Sequence, residues 1–208
     1  MEKVLFIGSG GVAREVTSWA KNLVTIAGYA TLDAEEHARF GLPGHAFPDD
    51  VAPEIAGTDR AVLAIGLPWI RRKLDERLKS AGFSFVSLVH PSAVVADNVT
   101  IGEGAIICPL ANVSPDVTLG RLSFVNFCVG IGHDTIVGDY VQVNPGVQIG
   151  GFATIGSGVL VGSGATIRDG VAIGEDVRIG SGSVVLGRVR SGVTVMGNPA
   201  KRMRAFES

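Results

Sequence analysis

The chain has 208 residues, with 18 lysines and arginines against 20 aspartates and glutamates, and 46% of its residues are hydrophobic. This charge balance excludes the basic surface that nucleic-acid binding requires. The chain also contains no run of about 18 uncharged apolar residues, so we expect no transmembrane helix. Two cysteines are too few for a disulfide scaffold or a cysteine-based zinc site. We therefore expect a cytoplasmic protein with no nucleic-acid or membrane partner and no metal.

Strands and helices alternate in the first part of the chain, as hydrophobic spacing and turn residues indicate. The predicted elements are a strand at 3–7, a helix over 12–23, a strand ending near residue 33, a strand at 61–65, a helix opened by Pro68 and a strand at 83–89. His37 and His45 fall in a polar stretch that we expect to be a loop. The pattern predicts an α/β domain over residues 1–88.

A glycine-rich turn follows the first strand, in the order Gly8-Ser9-Gly10-Gly11-Val12-Ala13. Glycines at the start of a helix expose backbone N–H groups that bind phosphate, and Asp33 follows about 20 residues later, as in dinucleotide sites. A full dinucleotide fold needs two such halves, however, and only about 85 residues precede the next pattern. We favour the nucleoside diphosphate of a sugar substrate. The alternative is that the glycines serve only the turn.

The second part of the chain repeats every six residues. From Val89 to Val185, seventeen consecutive hexads begin with Val, Ile or Leu, and the residue four positions later is always small or β-branched. A period of six fits neither a helix nor a hairpin. It predicts a β-solenoid, in which both positions point inward and each short strand pairs with its equivalent one coil away.

These hexads resemble the hexapeptide-repeat transferases. The whole chain is similar to the branch that contains sialic-acid O-acetyltransferases and N-acetyltransferases of nucleotide-linked amino sugars, through the segments GSGGVAREV, LAIGLPWIRRKL, HPSA, GHDTIVGD and GNPAKRM. The resemblance implies an α/β half-Rossmann domain followed by an all-β left-handed parallel β-helix with three hexads in each coil. We place the β-helix at 89–196 and a C-terminal cap or tail at 197–208.

His133 is the candidate catalytic residue. It occupies an outward position of its hexad and precedes Asp134, and a histidine beside a carboxylate suits a general base because its side chain titrates near neutral pH. A solvated surface histidine is the alternative from the residues alone. The resemblance implies that His133 is the base and that Asp134 raises its basicity.

The resemblance also implies a set of binding residues. Acetyl-CoA would contact Gln142, Ser163 and Ser181, and we expect Gly151, one coil from His133, to leave room for its pantetheine arm. A nucleotide-linked amino sugar would contact Gly10, Gly11, Val12, Asp33 and Gly66. Three positions depart from the family pattern: Val12 replaces a frequent histidine, Leu67-Pro68 replaces a usual asparagine, and Gln142 replaces a common second histidine.

The family assembles as a trimer with acetyl-CoA bound between protomers, and we expect a homotrimer here. Apolar residues at outward positions favour subunit contacts, namely Phe124, Phe127, Tyr140 and Phe152. The predicted activity is N-acetylation of a nucleotide-linked amino sugar. Two alternatives stay open, O-acetylation of sialic acid or a related sugar and a non-catalytic solenoid that is structural or senses nucleotides.

Overall fold

The computed structural model describes residues 1–203. The chain forms two compact units, Met1–Leu88 and a second one that begins at Val89. The helices and strands of the first unit are β1 (Lys3–Ile7), α1 (Gly11–Ala20), β2 (Thr25–Thr31), α2 (Ala34–Arg39), β3 (His45–Pro48), α3 (Pro53–Ala56), β4 (Arg60–Leu63), α4 (Pro68–Ser80) and β5 (Ser84–Phe85).

A five-stranded parallel sheet in the order β3-β2-β1-β4-β5 forms the centre of the first unit. The central strand β1 is apolar, and Val4, Leu5 and Phe6 are fully buried in it, as expected for a parallel sheet covered on both faces. The strands β2 and β3 lie on one side of β1, and the later strands β4 and β5 lie on the other side. In α/β sheets such a reversal creates a crevice at the carboxyl ends of the two strands involved, here β1 and β4, and ligands bind there.

The stretch predicted as a loop is partly regular, so that expectation was wrong. His37 lies in α2 and is buried against Tyr29, with ring centroids 5.3 Å apart. His45 is the first residue of the edge strand β3 and pairs with Gly28. Both elements are short and polar, so their hydrophobic periodicity is too weak to identify them. The strand predicted at 83–89 is likewise split into β5 and the first strand of the second unit.

Seventeen two-residue strands follow at intervals of six, and each ends on the predicted aliphatic residue. They are β6 (Leu88–Val89), β7 (Val94–Val95), β8 (Thr100–Ile101), β9 (Ile106–Ile107), β10 (Asn112–Val113), β11 (Thr118–Leu119), β12 (Phe124–Val125), β13 (Gly130–Ile131), β14 (Ile136–Val137), β15 (Gln142–Val143), β16 (Gln148–Ile149), β17 (Thr154–Ile155), β18 (Leu160–Val161), β19 (Thr166–Ile167), β20 (Ala172–Ile173), β21 (Arg178–Ile179) and β22 (Val184–Val185).

These strands form three parallel sheets in which every third strand is a neighbour. The pairing register is 18 residues, as between Val113 and Ile131 or between Val125 and Val143. The predicted fold class, an α/β half-Rossmann domain followed by a left-handed parallel β-helix, is confirmed. Because the register equals three hexads, equivalent corner residues stack along three edges of the helix.

Inward residues fill the β-helix with a continuous aliphatic core. The first residue of each hexad and the residue four positions later both point inward, as for Val125 with Val129 and Ile131 with Thr135, and all four are buried. Full burial of one such aliphatic side chain contributes about 1.5–3 kcal/mol. The core therefore stabilises the coils although each strand contains only two residues.

The β-helix ends in a hairpin of β23 (Thr194–Met196) and β24 (Lys201–Arg202). The predicted cap or tail at 197–208 is described as far as Met203, and residues 204–208 lie outside the described part of the chain. Within that part, none of the helices has the length and apolar composition needed to cross a membrane.

Candidate active site

His133 lies at a corner of the β-helix, on an edge formed by residues 97–98, 115–116, 133–134, 151–152 and 169–170, which we name the His133 edge. Backbone hydrogen bonds join its successive coils, from Asp134 N–H to Pro115 and from Phe152 N–H to the His133 carbonyl oxygen. The side chain of His133 is 55% exposed. A general base must reach its substrate, and this position allows it.

Asp134 holds one nitrogen of the His133 ring. His133 Nδ1 lies 2.8 Å from Asp134 Oδ2. In the neutral tautomer that carries its proton on Nδ1, the Nδ1–H group donates a hydrogen bond to the carboxylate. Nε2 then has a free lone pair and can accept a proton. One coil earlier, Asp116 accepts a 2.6 Å hydrogen bond from Asn98. Asp134 is thus the carboxylate of this edge that orients His133.

The next coil packs directly against the imidazole. A β-carbon on Gly151 would lie 3.0 Å from His133 Cε1 and Nε2, so the absence of a side chain there makes room for the ring of His133. Phe152 contacts the same ring edge to face, with centroids 4.9 Å apart at 90°. Gly151 therefore lies beside His133 Nε2, and its place at the pantetheine arm stays a prediction.

The other predicted acetyl-CoA residues lie away from His133 within one chain. Ser163 and Ser181 stack on a second edge, formed by residues 109–110, 127–128, 145–146, 163–164 and 181–182, which we name the Ser163 edge. Gln142 lies on a sheet face, is 2% exposed and donates a hydrogen bond to Asn144 Oδ1. A single chain does not bring these residues together with His133.

The third edge is formed by residues 103–104, 121–122, 139–140, 157–158 and 175–176, and its side chains bond to neighbouring coils of the same edge. Asp139 Oδ1 accepts a hydrogen bond from the backbone N–H of Arg121, and Ser157 Oγ accepts one from Asp139 N–H. Arg121 also pairs with Glu103. Within residues 1–203, no group of three or more His, Cys, Asp or Glu side chains is placed to hold a metal ion.

In the first unit, the structure brings most of the predicted sugar-nucleotide residues together. Gly10 is the N-cap of α1, and Gly11 and Val12 begin that helix. A β-carbon on Gly66 would lie 3.1 Å from a methyl group of Val12. These residues surround the crevice at the carboxyl ends of β1 and β4, where the α1 N–H groups are available to an anion.

Asp33 has a local structural role. It is the N-cap of α2, and its Oδ1 accepts a 2.9 Å hydrogen bond from Glu36 N–H. The segment Asp33-Ala34-Glu35-Glu36 has the spacing of a capping box. That signal in the sequence could have identified both the helix and the capping role of Asp33.

The carboxylate that faces the glycine turn belongs to Glu36, which the sequence analysis missed. Ser9 Oγ donates a 2.8 Å hydrogen bond to Glu36 Oε2 and lies 2.6 Å from the hydroxyl of Thr31. A β-carbon on Gly10 would be 3.9 Å from both carboxylate oxygens of Glu36. The buried hydroxyl of Ser9 thus holds an acid against the turn.

Arg71 is bonded to the turn that follows β4, next to the same crevice. It is 1% exposed and donates a 2.6 Å hydrogen bond to the carbonyl oxygen of Ile65, next to Gly66. Burial lowers the pKa of the Arg71 guanidinium to about 9, because desolvation disfavours its charged form. The contact fixes the turn after β4.

Comparison with known proteins identifies the family. The family of bacterial transferase hexapeptides matches residues 134–169 and 152–187. PerB from Caulobacter crescentus, solved in complex with CoA and GDP-perosamine, is 31% identical over 98% of both chains, with a TM-score of 0.90. The chain belongs to the hexapeptide-repeat acetyltransferases.

Two other relatives of this acetyltransferase are similar in fold or sequence. The acetyltransferase domain of PglB from Neisseria gonorrhoeae is 29% identical, with a TM-score of 0.83 over 98% of this chain and 100% of that one. The UDP-N-acetylbacillosamine N-acetyltransferase of Bacillus subtilis is 41% identical over 46 residues, which span 22% of this chain and 21% of that protein.

Proposed function

We propose that this acetyltransferase transfers the acetyl group of acetyl-CoA to the amino group of a nucleotide-linked amino sugar. The observation that carries the proposal is the exposed His133 ring, held through Nδ1 by Asp134 at 2.8 Å, in a chain that matches a perosamine N-acetyltransferase along 98% of its length. That enzyme was solved with CoA and GDP-perosamine.

In the proposed reaction, the amine nitrogen attacks the thioester carbonyl directly. His133 Nε2 takes a proton from that nitrogen as the C–N bond forms, and the negative charge of Asp134 stabilises the resulting imidazolium. A backbone N–H stabilises the tetrahedral oxyanion. The C–S bond then breaks, CoA leaves as a thiolate, and the amide product is released. Direct attack requires neither a metal nor a covalent enzyme intermediate.

A homotrimer would complete the site. His133 and Gly151 lie on one edge, whereas Ser163 and Ser181 lie on the Ser163 edge of the same β-helix. Acetyl-CoA can contact both sets when the Ser163 edge of one protomer approaches the His133 edge of another. Phe127 is exposed and suits such contacts, but Phe124 is 1% exposed within one chain and cannot contribute to them. A monomer mass by light scattering at micromolar concentration would contradict the trimer.

The crevice of the first unit would bind the nucleotide, with the phosphates at Gly10, Gly11 and Val12 and with Gly66 nearby. Glu36 would accept hydrogen bonds from the ribose hydroxyls, whereas the sequence pointed to Asp33 as the acid at the nucleotide-linked sugar. We place the reaction in the cytoplasm, where thiols stay reduced, since Cys108 and Cys128 form no disulfide.

The experiment that tests this function follows the release of free thiol from acetyl-CoA with UDP-, GDP- and dTDP-linked amino sugars and with free sialic acid. We expect turnover with an amino sugar. Turnover with sialic acid alone would instead indicate O-acetylation. Absence of both turnover and acetyl-CoA binding would support a non-catalytic solenoid.

Glu36→Gln should weaken the binding of UDP or GDP about five- to tenfold, because a charged acceptor for hydroxyl protons is replaced by a neutral one. Titration calorimetry measures the effect, with Glu35→Gln, an exposed acid in the same turn, as the charge-matched control. The 2′-deoxy nucleotides should lose this dependence on Glu36. A loss of affinity in Asp33→Asn but not in Glu36→Gln would return the ribose contact to Asp33.

A further inference from the structure

Phe152 adopts a backbone conformation that is unfavourable for its residue type. Its φ is +56°, in the left-handed region. A β-carbon crowds the backbone in this conformation, so glycine is preferred there. The same corner position is a glycine on the next coil of the His133 edge, at Gly170, and in several other hexads. An aromatic residue at this corner therefore carries a conformational cost that a contact of its ring can offset.

Within one chain, burial does not compensate this strain. Leu122 has a similar φ of +51° and is 1% exposed, so its side chain gains hydrophobic stabilisation. Phe152 is 62% exposed. Its described ring contact is the perpendicular one with His133, at 4.9 Å, and its backbone N–H donates to the His133 carbonyl oxygen at 2.8 Å.

We propose that Phe152 is a positioning residue that holds the His133 imidazole in the orientation needed to accept the substrate proton. Asp134 restrains the ring at Nδ1, but one hydrogen bond leaves the ring free to pivot about that atom. The edge-to-face packing of Phe152 supplies a second restraint. Together the two interactions direct Nε2 toward the acceptor. The inference rests on the proposed function, in which His133 is the base.

The proposal predicts opposite effects on stability and catalysis. Phe152→Gly removes the strain, so the melting temperature should stay equal or rise by up to about 3 °C. The same change removes one restraint on the His133 ring, so kcat should fall about five- to tenfold, a factor that matches the strength of an edge-to-face aromatic pair. KM for both substrates should stay within about twofold, because Phe152 acts on the base and not on substrate binding. A residue that only stabilised the fold would not separate these readouts.

Three variants complete the test. Phe152→Tyr keeps the aromatic edge and should retain kcat, whereas Phe152→Leu keeps the strain and the bulk and should lose it. Asp176→Gly is the matched control, because Asp176 has a φ of +54° and is exposed on the third edge, away from both proposed binding edges. It should show a similar change in melting temperature with kcat unchanged.

A double-mutant cycle separates this inference from the proposed function. In the His133→Ala background, Phe152→Gly should have no further effect on kcat, because the two residues act through one ring. Additive losses, or a normal kcat in Phe152→Gly, would overturn the positioning role while leaving His133 as the base. A change of oligomeric mass in Phe152→Gly would also overturn it, in favour of a subunit contact. Full activity in His133→Ala alone would instead exclude His133 as the base, and the absence of turnover across the substrate panel would contradict the proposed function itself.

Discussion

His133→Ala should lower kcat by about 10²–10⁴, the contribution expected of a well-placed general base. The imidazole is exposed, and Asp134 lies 2.8 Å from its Nδ1, so the variant removes the proton acceptor while leaving the aliphatic core of the β-helix intact. The fold and the affinity for CoA should be retained. Thiol release from acetyl-CoA, with the amino sugar that the substrate panel identifies, measures the effect.

Two companion variants sharpen this result. Asp134→Asn should lower kcat about tenfold, since asparagine tolerates the left-handed φ of +57° at this corner but lacks the charge that stabilises the imidazolium. His45→Ala, an exposed histidine of the first unit, is the control and should be fully active. A His133→Ala enzyme within about threefold of the native kcat would exclude His133 as the base.

Gly120→Ala should destabilise the β-helix by about 3 kcal/mol or more, at the upper end of the cost of overpacking. A β-carbon on Gly120 would overlap the backbone carbonyl carbon of Gly138 and lie 2.6 Å from Asp139 N. Both atoms belong to the next coil, to which Gly120 N–H donates a 2.8 Å hydrogen bond at Val137. Backbone cannot move aside as a flexible side chain can, so the coils would have to separate.

The control is Gly146→Ala. Gly146 has a φ of +71°, but among the described residues no heavy atom would lie within 4 Å of its β-carbon. Its substitution should cost about 1 kcal/mol, from backbone strain alone. Denaturant unfolding followed by circular dichroism compares the two variants. Equal losses of stability would contradict the inference that contact with the next coil costs more at Gly120 than the positive φ does at Gly146.

The hexads determined the β-helix before any contact was known. Two inward positions repeated seventeen times from Val89 to Val185 predict the fold far more strongly than the residue propensities of any single strand. Each observed strand ends on the first residue of its hexad. The strand at Lys3–Ile7 and the helix beginning at Pro68 were also predicted with their observed starts, because apolar periodicity and proline act locally. His133 and Asp134 are sequence neighbours, so their pairing could be predicted as well.

The tertiary structure decided which residues meet across coils and across strand ends. Glu36 faces Gly10 because Ser9, just after β1, donates a hydrogen bond to its carboxylate, and Ser9 in turn contacts Thr31 at the end of β2. Phe152 meets His133 because 18 residues of chain make one turn of the β-helix, while Phe124, at an equally outward position, is buried. Periodicity determines the direction in which a side chain leaves the backbone, whereas its neighbours depend on contacts between residues distant in sequence.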